Sequence, residues 1–474
     1  MISDLTLPSY LCGKTFHSAD WIDVLNPWDQ SLVGRVSQIS PVELQSAIDC
    51  HLASDVSLTR YQRSEVLNRV AEILKDRREE LAELITLESG LCLRETRYEV
   101  GRACDVFTFA AMEALRDDGQ IFSCDISPQG KARKIYTLRE PLSLVAAITP
   151  FNHPLNQVAH KLAPAIAVGA KVILKPSEKT PLTAVRLTEI LYEAGLPGEM
   201  LSCIHGPLDS ITRPLVRDSR IDLVSFTGSA AVGKEIAATA GYKKTCLELG
   251  GHSPLLILRD ADLELAARLA CEGCFRNSGQ RCTAVRRLLV DESIVAEFTE
   301  RFVSLATNYR CDDPLDEETM VGTVIDEASA QALQAAVDEA VSGGAQVLLG
   351  GSCLGALFEP TILTNVARSA YLASHECFGP LAPIFPVKDL DDALMLANAT
   401  DYGLSAGVVT NQLSWAIRCV KEIKAGTVNV NEIPGYRLEI SPFGGIKDSG
   451  LGIKEGVMEA MKFMSTVKTY SLPW

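Results

Sequence analysis

A chain of 474 residues is too long for one ordinary core, so two or three domains are expected. Apolar residues at 47% and charged residues at 22% are ordinary for a globular protein, and a net charge of −15 disfavours nucleic acid or an anionic membrane surface as a partner. No basic segment leads into an apolar run at the N-terminus, no uncharged apolar stretch reaches spanning length, and the 14 cysteines lack framework spacing, which together predict a reduced, soluble, cytoplasmic protein.

In chain order, residues 62–116 place apolar side chains three and four apart and predict helix. Gln120–Arg139 is polar, lacks helical periodicity and reads as a projecting β-hairpin. Leu144–Thr149 is a short apolar run that reads as a buried strand, followed by a helix at Leu155–Val168 and a strand at Lys171–Lys175. A helix at Pro181–Ala194 stops at Gly195-Leu196-Pro197-Gly198, and a strand at Leu223–Thr227 runs through Gly228 into another helix. This alternation predicts an open parallel sheet with helices on both faces. It continues past residue 250. Strands are expected at Leu255–Leu258, Leu288–Val290, Val347–Leu349 and Gly407–Thr410. Helices are expected at Leu263–Asn277, Ile294–Thr307, Ala328–Ser342, Asp391–Ala399 and Ser414–Ile423, giving a second α/β domain. Thr466–Leu472 reads as a final strand. Cys271-Glu-Gly-Cys274 is a CxxC, but it lies in a helical pattern without a second ligand pair and reads as structural.

Four segments carry chemistry. Asn277-Ser-Gly-Gln-Arg-Cys282-Thr places a thiol in a small, polar loop, with Arg281 beside it as a cation that favours the thiolate. Leu247-Glu248-Leu249-Gly250-Gly251 sets a carboxylate between leucines at a strand end, where partial burial raises its pKa and suits it to general-base work. Thr149-Pro150-Phe151-Asn152-His153-Pro154 follows a strand, and an Asn amide there can donate to an oxyanion. Phe226-Thr-Gly228-Ser229 leads into a helix N-terminus, a ready phosphate site; its GxxxxG spacing to Gly233 and the missing Lys-Ser/Thr argue against a P-loop.

Each segment alone is a modest signal. In order, and joined by Lys175-Pro-Ser177-Glu178 and Glu376-Cys-Phe378-Gly-Pro, they resemble the aldehyde dehydrogenase superfamily from end to end. The separation of 34 residues between Glu248 and Cys282 also fits. The resemblance implies an α/β fold of two Rossmann-like parallel-sheet domains plus a small β oligomerisation arm. An NAD-binding domain would take residues 1–119 and 140–249, a catalytic domain 250–452, and the arm 120–139 and 453–474. That arm pairs across subunits in the family, so a homodimer or homotetramer is expected.

The resemblance also implies roles. The Cys282 thiolate attacks the aldehyde carbon, Asn152 and the Cys282 N–H hold the oxyanion, and Glu248 activates the water that hydrolyses the thioester. The cofactor is expected to be NAD. Lys175, Ser177 and Glu178 would sit at the adenosine ribose, where Glu178 disfavours a 2′-phosphate. Gly228, Ser229 and Gly233 match the pyrophosphate turn. Ile148, Thr149, Pro150, Phe151, Leu249, Gly250, Glu376 and Phe378 would line the rest of the cofactor's path. A CoA-acylating relative usually lacks the base that Glu248 supplies, and a non-catalytic relative would not need Cys282, Glu248 and Asn152 together.

Basic residues near the expected tunnel point to an anionic aldehyde. They are Arg281 before the nucleophile, His153 after the oxyanion Asn, Arg102 and Arg97 on a wall helix, and Arg437 in the closing loop. The closer likeness is to bacterial phosphonoacetaldehyde dehydrogenases, carried by Arg97-Tyr-Glu-Val-Gly-Arg102, Thr149–Pro154, Gly435-Tyr-Arg437, Ser441–Gly452 and Lys468–Trp474. Glyceraldehyde 3-phosphate, sulfoacetaldehyde, phosphonoformaldehyde and succinate semialdehyde remain alternatives.

Overall fold

The computed structural model describes residues 5–473. Two seven-stranded sheets form the body. The first runs in the order 244–248, 223–227, 144–148, 171–175, 201–203, 9–11, 14–16; its first five strands are parallel, 9–11 runs against them, and 14–16 pairs antiparallel with 9–11. The second runs 346–349, 361–364, 381–387, 285–291, 253–257, 405–409, 427–430, parallel except for its first strand. Strands such as Leu144–Ile148, Leu223–Thr227 and Ser253–Ile257 are buried along their whole length. That is why they read as mostly apolar runs rather than alternations.

The helical stretch of 62–116 is three helices, Arg60–Asp76, Arg78–Ser89 and Leu93–Ala114. The second break is at Gly90, whose φ of +74° suits glycine and whose added Cβ would lie 1.7 Å from Thr323 Oγ1. The helix expected to reach Asn277 stops at Phe275, because Asn277 and Ser278 adopt left-handed φ values of 59° and 51°. Strands Thr361–Thr364 and Leu381–Val387 were not expected; the second contains Pro383 and Pro386, which read against a strand.

The hairpin is present as Ile121–Ser123 and Arg133–Pro141, and Ser465–Pro473 pairs antiparallel along the whole of its long strand. The segment just before that last strand does not belong with it. Helix Val457–Phe463 packs on helices Leu93–Ala114 and Asn156–Val168, and Val457 and Met464 are buried in the core of the first sheet. An arm starting at residue 453 therefore takes in a piece of the body. No helix among the described residues is long and apolar enough to cross a membrane.

Candidate active site

Three neighbouring strands of the first sheet end side by side and deliver three loops to one place. Ile148 leads to Thr149–Pro154, Thr227 to Gly228-Ser229, and Glu248 to Leu249-Gly250; the register pairs Phe226 with Ile148 and Thr227 with Glu248. Ligands gather at such carboxyl ends of parallel strands. The second sheet presents the opposite edge. Cys282 lies just before strand Val285–Asp291 and Phe378 just before its neighbour Leu381–Val387.

The nucleophile's loop is held by two amides. Asn152 Nδ2 donates to the Gln280 carbonyl at 2.8 Å, and Asn277 Nδ2 returns a bond to the Asn152 carbonyl at 3.0 Å. This exchange locks the left-handed pair Asn277-Ser278, a conformation that costs roughly 1–3 kcal/mol per residue unless its surroundings enforce it. One N–H of Asn152 is used in the exchange, and the second is left for another acceptor.

The two loops separate two cavities. On one side, a space of about 390 Å³ is lined by Asn152, Cys282 and Glu248, with Phe151, Phe378 and Leu249 as apolar walls. On the other, a space of about 570 Å³ is lined by His153 and Arg281 with Arg97, Arg102 and Arg437. Adjacent residues thus face opposite ways: Asn152 against His153, and Cys282 against Arg281. The closing loop, residues 431–445, abuts the nucleophile's loop, since a Cβ on Gly435 would lie 2.4 Å from Thr283 Oγ1.

Burial pushes the Cys282 thiol up, to about 11, against the pull of Arg437, the cation that most lowers it. The sequence pointed to Arg281 for that effect. Arg281 instead turns back on the preceding helix, where its Nη2 donates to the carbonyls of Glu272 and Gly273 at 2.7 and 3.1 Å. Glu248 is buried with both carboxylate oxygens unpartnered. Burial first and Glu455 second raise its pKa well above the usual range, opposed by Lys161, Arg437 and Lys454.

The substrate-side residues divide by partner. Arg97 is paired at the rim: Nε binds Glu79 at 2.7 Å, while Nη1 and Nη2 bind Glu317 at 2.6 and 2.7 Å. These bonds take three of its five N–H groups, so two rim carboxylates already pair with this arginine of the cavity wall, and it clasps a helix to a loop 220 residues away. Arg102 pairs with Glu439, and His153 Nδ1 lies 3.4 Å from Glu99. Two cations of this cavity keep a buried, unpartnered nitrogen. Arg281 Nε and Arg437 Nη1 are buried without a hydrogen-bond partner.

The expected cofactor residues divide too. Pro150, Phe151, Gly228, Ser229, Leu249, Gly250, Glu376 and Phe378 line the first cavity. Ser229 caps helix Ala230–Thr239, and Glu376 accepts the Gly251 N–H at 3.1 Å. Gly233 packs behind this wall, where a Cβ would meet Leu249 Cδ2 at 2.3 Å. Ile148, Thr149, Lys175, Ser177 and Glu178 lie outside the cavity lining; Lys175 Nζ binds the half-exposed Glu178 at 3.1 Å. Leu333 and Tyr371 also line the cavity. The sequence reading missed both, and neither sits in a motif that would have marked it.

Residues 15–470 match the sequence profile of the aldehyde dehydrogenase family. The chain belongs to that family. It is an oxidoreductase that acts on aldehydes. A 3-sulfolactaldehyde dehydrogenase of Priestia aryabhattai is 37% identical over 457 residues, 96% of each chain. Among solved structures, aldehyde dehydrogenase 21 of Physcomitrella patens, in complex with the reaction product succinate, superposes with a TM-score of 0.96 at 34% identity. The match covers 100% of this dehydrogenase and 99% of that chain. Glyceraldehyde-3-phosphate dehydrogenase of Methanocaldococcus jannaschii, complexed with NADP, gives a TM-score of 0.91 at 35% identity, covering 97% and 100%.

Proposed function

We propose that this dehydrogenase oxidises a small aldehyde bearing an anionic group, with phosphonoacetaldehyde as the substrate and phosphonoacetate as the product. The observation that carries the anionic class is the pair of arginines, Arg281 and Arg437, that line one cavity beside the nucleophile's loop and each keep a buried guanidinium nitrogen, Nε and Nη1, without a protein partner. A buried donor without an acceptor is costly, and a ligand oxygen repays that cost. A phosphonate offers oxygens to both. The relatives support the broader class: one is named for a sulfonated aldehyde and another for a phosphorylated one. Sulfolactaldehyde and glyceraldehyde 3-phosphate are therefore the competing substrates.

The first cavity fits a nicotinamide dinucleotide. The first-turn N–H groups of helix Ala230–Thr239 would hold a diphosphate, the Phe151 and Phe378 rings supply apolar walls, and Glu376 would take a ribose hydroxyl. We assign NAD, because the half-exposed Glu178 carboxylate would repel a 2′-phosphate; NADP, found in the Methanocaldococcus structure, is the alternative. Bound there, the dinucleotide supplies the hydride acceptor. The chain's own residues do the rest. Once its thiol has given its proton to solvent, Cys282 Sγ bonds to the aldehyde carbon, and the remaining N–H of Asn152 would donate to the oxygen that gains charge. After hydride loss a thioester stands on Cys282. Glu248 takes a proton from water, which attacks the thioester carbonyl, and the acid leaves as the thiolate is restored.

The test is NADH formation with phosphonoacetaldehyde, glyceraldehyde 3-phosphate, sulfolactaldehyde and propionaldehyde. Phosphonoacetaldehyde should give the highest kcat/KM. Equal rates with propionaldehyde would discard the anion reading and leave only aldehyde oxidation.

A further inference from the structure

We infer that Glu439, a carboxylate no motif marks, is the positioning residue that aims Arg437 at the substrate's anionic group; this rests on the anionic-aldehyde reading above. Glu439 is only 4% exposed, yet it serves basic groups from three places in the fold. Arg102 Nε, from helix Leu93–Ala114, donates to Oε1. His160 Nε2, from helix Asn156–Val168, lies 2.5 Å from Oε2. Arg437, two residues away in the closing loop, brings Nη2 to 3.4 Å from His160 Nε2 and 3.9 Å from Oε2. Its guanidinium lies over the Phe443 ring at 3.9 Å.

These contacts leave Arg437 little freedom. Phe443 fixes the guanidinium plane, and the Glu439 carboxylate, itself held by the His160 N–H, pairs with the Nη2 edge as an ion pair at 3.9 Å. Nη1 is the nitrogen left without a protein partner. An arginine held by one edge and one face presents its remaining edge with little entropy left to lose. Glu439 also ties the closing loop to two helices of the body, so the loop and the arginine are located together.

The position differs from a simple counter-charge in the sign of its effect. Removing a counter-charge makes the cavity more positive and should tighten an anion. Removing a brace lets Arg437 wander and should weaken it. We expect Glu439→Gln to lower the ratio of kcat/KM for phosphonoacetaldehyde over propionaldehyde by about tenfold, mostly through KM, the size of one charged hydrogen bond lost. In an Arg437→Ala background the same change should leave that ratio where Arg437→Ala alone puts it, because a residue acting through another has nothing left to act on.

A ratio that rises in Glu439→Gln, or two aldehydes that lose equally, would overturn the proposal. Further selective loss on top of Arg437→Ala would do the same. Glu439→Asp keeps the charge and withdraws it by one methylene; if Glu439→Gln does not fold, Glu439→Asp must move the ratio in the same direction, and an unchanged ratio defeats the idea. Should Arg437→Ala itself weaken both aldehydes alike, the anion pocket falls and the role of Glu439 falls with it. A selective Arg437→Ala with an unselective Glu439→Gln removes only the role of Glu439.

Discussion

Truncating Arg437 to alanine is the sharpest perturbation of the substrate cavity. The side chain carries a buried Nη1 without a protein partner, so the change removes a donor that only the ligand would use. A hydrogen bond to a charged group is worth about 1.5–3 kcal/mol, and at roughly 1.4 kcal/mol per tenfold this predicts a loss of about 10- to 150-fold in kcat/KM. Little else should be orphaned, because Glu439 keeps Arg102 and His160. A second effect needs separating. Arg437 pulls the Cys282 thiol down, so its removal slows attack on every aldehyde alike. Measuring NADH formation with phosphonoacetaldehyde and with propionaldehyde, and taking the ratio of the two losses, cancels that common part. A ratio indistinguishable from that of the wild type would refute the reasoning, whatever the absolute rates.

Four further outcomes follow from the same geometry. Glu248→Gln should retain a first burst of NADH near one per site and then turn over about 100- to 10,000-fold more slowly, the range for losing a general base; an unchanged steady state would remove Glu248 from hydrolysis. Because burial pushes the Cys282 thiol up to about 11, its alkylation by iodoacetamide should climb about tenfold per pH unit from neutrality, whereas a plateau by about pH 8 would show a thiolate already formed. Gly279→Ala should cost folding stability or activity severely, since the added Cβ would sit 2.1 Å from the Gly379 carbonyl at a φ of +66°; wild-type melting and rates would contradict the close approach. Buried His51 and His205 stay neutral when folded, with burial depressing them to about 4 and about 3, and they take protons at 6.5 once unfolded. Their contribution is therefore whole above pH 6.5 and lost as pH falls towards 4, so the melting temperature should drop across that window, less steeply in His51→Gln.

Much of the fold was legible because its signals are local. Leu144–Ile148 is apolar throughout and Leu223–Thr227 nearly so since both faces of a parallel sheet are covered, and Gly228 and Gly250 stand where strands must turn at once. The catalytic trio Cys282, Asn152 and Glu248 could be named because each lies in a short segment whose composition is odd for a core or a loop. Segments with less than a full pattern were illegible: Ser9–Leu11 and Lys14–Phe16 are three residues each, too short to show a period, and the prolines of Leu381–Val387 masked a central strand. The arginines mark the deeper limit. The sequence placed Arg97, Arg102, Arg281 and Arg437 near one tunnel, but which of them is paired, and with what, depended on carboxylates and carbonyls met only in three dimensions. Glu317 takes Arg97 from 220 residues away and Glu439 takes Arg102 from 337, while Arg281 folds back on the preceding helix. A charge is written in the sequence; whether it is neutralised is decided by what the fold packs against it.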